Sequence, residues 1–237
     1  MSRLATALRL EVTVQRRYKF LHAAVFSGLL WLGLLLPMPG HLRSVAEPYV
    51  ILGDLMIVGF FFVAGSVFFE KGERTLDAVV ASPLRFGEYL ASKVLTLTGL
   101  SVLLAVFVAT VTHGVHYHLG LVLLGAALGT VLMLLLGFLT ALPFTSVSDW
   151  FMPAVVPVAV FNLPILSYSG VWTTPWLYLV PTHGPLLFLG GAFDQKTLTA
   201  WQYVYGIGYP ALFAAGMGLL ARRLFDRYLV AKTGGHR

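Results

Sequence analysis

Residues 94–148, VLTLTGLSVLLAVFVATVTHGVHYHLGLVLLGAALGTVLMLLLGFLTALPFTSVS, run for 55 residues without an Asp, Glu, Lys or Arg. A helix that crosses a bilayer needs about 20 mostly apolar residues, because the hydrocarbon core is about 30 Å thick. This stretch is too long for one crossing. The polar group His113, Gly114, His116 and His118 divides it. The reading is therefore two spans, at 95–112 and 119–142, joined by a short wet turn.

Charge is costly in hydrocarbon, so other charge-poor runs locate the remaining spans. They fall at 20–36, 49–69, 151–166 and 201–220, with Asp54 the one acid inside them. That gives six. The composition agrees: 58% of residues are hydrophobic and 11% charged, against about 25% charged in soluble domains. The expected fold is an all-α membrane protein, one transmembrane domain over residues 1–237. No cysteine is present, so disulfides and thiolate metal sites are excluded. The basic, mixed start and the prolines after the first apolar run give no cleavable signal peptide.

Loop charge orients the chain. Arg3, Arg9, Arg16, Arg17, Lys19, Lys71, Arg74, Arg85, Lys93, Arg222, Arg223, Arg227, Lys232 and Arg237 all fall on the side that carries both termini. The opposite side receives only Arg43 and Lys196. By the positive-inside rule both termini are cytoplasmic, in a multi-pass protein of the plasma (inner) membrane. The same distribution excludes nucleic acid as a partner, since the cations form no single stripe. The partner surface is the lipid bilayer.

Three segments are not spans. Residues 1–19 alternate apolar and basic positions, with Leu4, Leu8, Leu10 and Val14 against Arg3, Arg9, Arg16 and Arg17. They read either as an interfacial helix on the inner leaflet or as a frayed basic tail. Residues 70–93, EKGERTLDAVVASPLRFGEYLASK, carry amphipathic order of their own. Thr75 can cap a short helix with Asp77 in its first turn. Leu76, Val79 and Val80 then share a side, and Pro83 ends the helix. A second helix restarts near Gly87 and runs into the third span. The short helix is a docking element for another protein, or a turn sealing the bundle's own end. Residues 168–200, on the outer side, hold Trp172, Trp176, Pro181 and Pro185. They read as two half-inserted helices broken from Pro181 to Pro185 and forming an outer gate, or as a loop with aromatic interface anchors.

Asp54 is a candidate for the translocation path, or a packing partner close enough to the outer end to reach the interface. Asn162 and Pro164 interrupt the fifth span, as path residues or as a local kink. Gly125 and Gly129 read as a helix-packing pair. His113, His116 and His118 have ligand-like spacing but no acid nearby in sequence, so no metal site is expected. No catalytic residue is assigned: Ser27, Ser66, Ser101 and Ser167 lack the G-x-S-x arrangement of a six-span intramembrane protease. The alternatives are a transport subunit, a non-transporting anchor or regulatory subunit and, with less support, an intramembrane enzyme.

The pattern from Glu70 onward resembles the loop between the second and third spans of type-2 ATP-binding-cassette exporter permeases. The matching positions are Glu70, Glu73, Thr75, Leu76, Asp77, Val79, Val80, Ser82, Pro83 and Leu84, followed by Glu88 and Lys93. Where that family commonly has Gly before Thr, this chain has Arg74. In overall look the chain is closest to the small permeases of drug, notably fluoroquinolone, export. The resemblance implies that residues 70–93 hold a coupling helix, with Glu70, Glu73, Arg74, Thr75, Leu76, Asp77, Val79, Val80, Pro83 and Leu84 meeting an ATPase. The chain has no G-x-x-x-x-G-K-[ST] loop, so ATP and Mg would be bound by separate ATPase subunits, two copies of them. Six spans are half the usual complement, which implies a second permease, identical or related. The implied cargo is amphipathic or hydrophobic.

Overall fold

The computed structural model describes residues 3–76 and 84–230. Among them the chain is helical, with no strand. We number the helices α1 (Arg3–Arg17), α2 (Phe20–Leu35), α3 (Gly40–Leu55), α4 (Phe62–Gly72), α5 (Phe86–His113), α6 (Leu119–Ala141), α7 (Val147–Asn162), α8 (Pro164–Tyr168), α9 (His183–Ala192) and α10 (Ala200–Phe225). A π turn, Met56–Phe61, joins α3 to α4, and another, Asp226–Val230, follows α10.

Five of the resulting helices are long and apolar enough to cross a membrane: Gly40–Gly72, Phe86–His113, Leu119–Ala141, Val147–Tyr168 and Ala200–Tyr228. The sixth, α2, has 16 residues, about 24 Å at about 1.5 Å per residue. It reaches the length of a span only with α1, which meets it at a 65° bend. The bend sits at Lys19, whose backbone is left-handed (φ 58°).

The second span differs most from its sequence boundaries. It was placed at 49–69 and runs instead from Gly40 to Gly72, 33 residues. The stretch Arg43–Pro48, assigned to a loop, belongs to this helix; Pro48 lies inside it and removes one backbone donor there without ending it. Midway the helix widens into the π turn, where the backbone of α6 comes close. A β-carbon on Gly137 of α6 would stand 2.4 Å from the carbonyl oxygen of Phe60. One on Gly59 would stand 2.8 Å from Met133. Small residues allow this approach.

α6 is the central helix, touched by α3, α4, α5, α7, α9 and α10. Its uniformly apolar sequence follows from that position: a helix apolar all round is surrounded. Its other glycines seat the outer hairpin, since a β-carbon on Gly125 would lie 3.0 Å from both Leu189 and the carbonyl of Pro185. The Gly125 and Gly129 pair therefore packs within the chain. α2, α7 and α10 lie at the periphery and expose Phe26, Met152, Val204 and Leu212, as helices facing lipid do.

Between Ser169 and Thr199 the outer segment holds a 3-10 turn (Pro175–Leu179) and α9. The break lies at Val180–Thr182 rather than from Pro181 to Pro185. Pro185 sits in the first turn of α9, where a missing N–H costs nothing. All ten residues of α9 are buried.

Candidate functional site

The end of the bundle that carries the Glu70–Lys93 segment is built around a buried cluster of charge. Lys93, on the second turn of α5, is fully buried. Its ammonium donates to Glu70 on α4 and to Ser66 Oγ at 2.6 Å. It also donates to both carboxylate oxygens of Glu11 on α1, at 3.2 and 3.3 Å. The Tyr89 hydroxyl donates to the other Glu70 oxygen at 2.6 Å, and Ser66 Oγ donates to Glu70 at 3.1 Å. Gln15 Nε2 reaches Thr96 Oγ1 at 2.7 Å and Glu11 at 3.4 Å. Burial of ions is tolerated where each is paired and hydrogen-bonded, and this cluster supplies partners from three helices.

Helical spacing explains why these groups meet. Ala7, Glu11 and Gln15 fall one above the other on α1 and are its buried positions, while Leu10 is 57% exposed. The N-terminal helix therefore turns Ala7, Glu11 and Gln15 to the protein and leaves Arg9, Leu10, Val12 and Arg16 outward. Sequence reading missed Glu11, whose signal was an isolated acid in a basic amphipathic segment. Lys93 was read as a cytoplasmic topology charge and as a position of the family motif, two residues before the third span, and its burial was not foreseen.

Around the segment's entry, Glu73 accepts from Arg17 Nη2 at 3.0 Å and from the Tyr18 hydroxyl at 2.9 Å. Burial, then that hydrogen bond, pushes the Tyr18 phenol up to about 12. Arg74 has φ 55°, the left-handed region where glycine is at home. This is the position at which the resembling family has Gly. Thr75 Oγ1 donates back to the Glu70 carbonyl at 3.2 Å, so its hydroxyl closes the end of α4. Lys71 Nζ caps α6, donating to the carbonyls of Ala141, Leu142 and Phe144 at 2.9, 2.8 and 2.7 Å.

The expected coupling residues thus separate. Glu73, Arg74 and Thr75 are exposed. Glu70 and Leu76 are buried, Leu76 within the main core, and cannot form an outward docking face. Leu84 is half-buried against that core. Asp77, Val79, Val80, Ser82 and Pro83 lie outside the described residues.

The expected path residues are not brought together. Asp54 lies 14 residues into the helix Gly40–Gly72, about 21 Å from its start. It is 3% exposed and accepts from Ser27 Oγ on α2 at 2.6 Å. Asn162 ends α7 and spends its amide on Val158 of the same helix, at 2.7 Å. Pro164 starts α8 and is buried. The last turn of α7 is fastened to the outer segment, where the Thr182 hydroxyl donates to the Phe161 carbonyl.

Of the expected gate residues, Trp172 and Trp176 are 54% and 76% exposed, the behaviour of interface anchors. The hairpin is instead held by tyrosines of α10: Tyr205 OH donates to the Tyr178 carbonyl at 2.5 Å and Tyr209 OH to that of Leu179 at 2.6 Å. The outer histidines do find acids, in space. His113 meets Glu47 at 2.9 Å and His118 meets Asp194 at 3.1 Å. No group of three metal-ligating side chains forms among the described residues.

Comparison with known proteins places this arrangement. The profile of the fluoroquinolones export permease protein family matches residues 2–233. Fluoroquinolones export permease proteins of two Mycobacterium tuberculosis strains, CDC 1551 / Oshkosh and H37Rv, are each 58% identical over 235 residues, covering 99% of either chain. No solved structure matches the chain.

Proposed function

The chain belongs to the fluoroquinolones export permease family, and from that premise we propose that it is the membrane subunit through which a separate ATPase drives drug export. The cargo is an amphipathic, drug-like molecule, as the names of its relatives suggest. Two ATPase copies and a second permease complete the transporter, ATP and Mg being held by the ATPases. The termini and the Glu70–Lys93 segment face the cytoplasm, following the charge bias.

The observation that carries this reading is the closed neck of that segment. Its first and last residues, Glu70 and Lys93, are bonded inside the protein, while Glu73, Arg74 and Thr75 stand on the surface. A push on the exposed part reaches two spans at once through the buried pair. α1 joins through Glu11 and through Arg17 to Glu73.

The test is Glu73→Ala with Arg74→Glu, made in the complex with its ATPase and assayed in proteoliposomes. Both positions are exposed; because Glu73→Ala also removes the bonds from Arg17 and Tyr18, the variant's unfolding midpoint is compared with that of the unaltered protein. Drug-stimulated ATP hydrolysis and export should fall together. Unchanged coupling in that variant would remove the docking role from this surface.

A further inference from the structure

Beneath α1, beside the Lys93 cluster, lies a groove of about 360 Å³. Leu10, Val14 and Leu84 form apolar walls, and Glu11, Glu70 and Tyr89 stand at its floor. The Arg17–Glu73 pair at its rim is balanced. The floor is not: two carboxylates, both over nine-tenths buried, face one ammonium, that of Lys93. Glu70 is well supplied, accepting from Lys93, Tyr89 and Ser66. Glu11 has only the longer bonds from Lys93 and Gln15. One negative charge is therefore left over, on the carboxylate that borders the groove.

We propose that this groove binds an amphipathic organic cation, its protonated amine against Glu11 and its apolar body along Leu10, Val14 and Leu84. The volume is in the range of drug-sized sites, and a buried unmatched carboxylate is stabilised by a cation it can hydrogen-bond. Resting on the export reading, the site is where cargo carrying a basic nitrogen is first captured, at the end of the bundle that the ATPase moves.

The experiment uses a matched pair of probes: norfloxacin, whose piperazine carries a proton at neutral pH, and its N-acetyl derivative, whose corresponding nitrogen does not. Binding to the full-length protein in nanodiscs is followed by fluorescence titration. Norfloxacin should bind at least about tenfold more tightly than the acetylated compound. Glu11→Gln should erase that difference. Leu10→Trp, at an exposed position that leaves the charge cluster untouched, should weaken both compounds by filling the groove. No binding by the unaltered protein, equal binding of the pair, a difference that survives Glu11→Gln, or full binding in Leu10→Trp would each overturn the proposal. Export is measured separately in vesicles with the ATPase. A titration that behaves as expected while neither compound is exported supports the site and overturns the export reading.

Discussion

Glu70 and Lys93, 23 residues apart in sequence, form a buried ion pair that closes the neck of the segment between the second and third spans. The pair is also the point at which α1 enters the bundle, through Glu11.

Lys93→Met should leave Glu11 and Glu70 buried without their shared cation. Breaking one side of such a cluster costs about 3–5 kcal/mol. Combining it with Glu11→Gln and Glu70→Gln should recover much of the loss, because no charge then remains to be buried. Thermal unfolding of the purified protein in detergent reads both effects. A single variant as stable as the triple one would show that the cluster carries little of the fold.

Arg74→Gly should stabilise the protein by about 1 kcal/mol. A side chain in left-handed backbone costs about 1–2 kcal/mol, part of it offset by the greater freedom glycine has when unfolded. Arg74→Ala should give no such gain, since alanine keeps the β-carbon. Unfolding midpoints of the two variants decide the matter.

Gly125→Val should displace the outer hairpin without unfolding the bundle. Leu189 and the Pro185 carbonyl already stand 3.0 Å from the nearest added atom, and one of these is backbone that cannot swing aside. Limited proteolysis between Ser169 and Thr199 should become faster, while the rest of the chain stays protected.

Alkaline pH should weaken the elbow between α1 and α2. The folded-state value of Tyr18 lies above its ordinary 10.0, at about 12. A group raised on folding lends stability fully below its unfolded value, and that stability is lost as pH climbs from about 10 through about 12. Tyr18→Phe should therefore show a shallower loss of stability over this window. Circular dichroism melts at stepped pH provide the comparison.

The spans themselves were legible because hydrocarbon imposes one rule on every residue it meets. The stretches read as the third and fourth spans each fall almost wholly within one helix, Phe86–His113 and Leu119–Ala141, with the break between them at the histidines. Boundaries were legible only where charge marked them: the second span begins at Gly40, since neither Arg43 nor Glu47 stops a helix that projects beyond the apolar layer. Glu47 is buried there against His113, a contact between residues 66 apart in sequence that no local pattern announces. In the segment from Glu70, the pattern was visible but its division of labour was not. Leu76 looked like part of a docking face and is core, because spacing shows that residues share a face and not what the face meets.

The sequence by itself determined that this chain crosses the membrane and how often its apolar runs can do so, because burying charge in lipid is costly wherever it occurs. Only the tertiary structure decided which charges are spared that cost. Glu11, Glu70 and Lys93 come from three helices, and none could be buried alone. Their pairing depends on helix rotation and crossing, which the packing of the whole bundle sets.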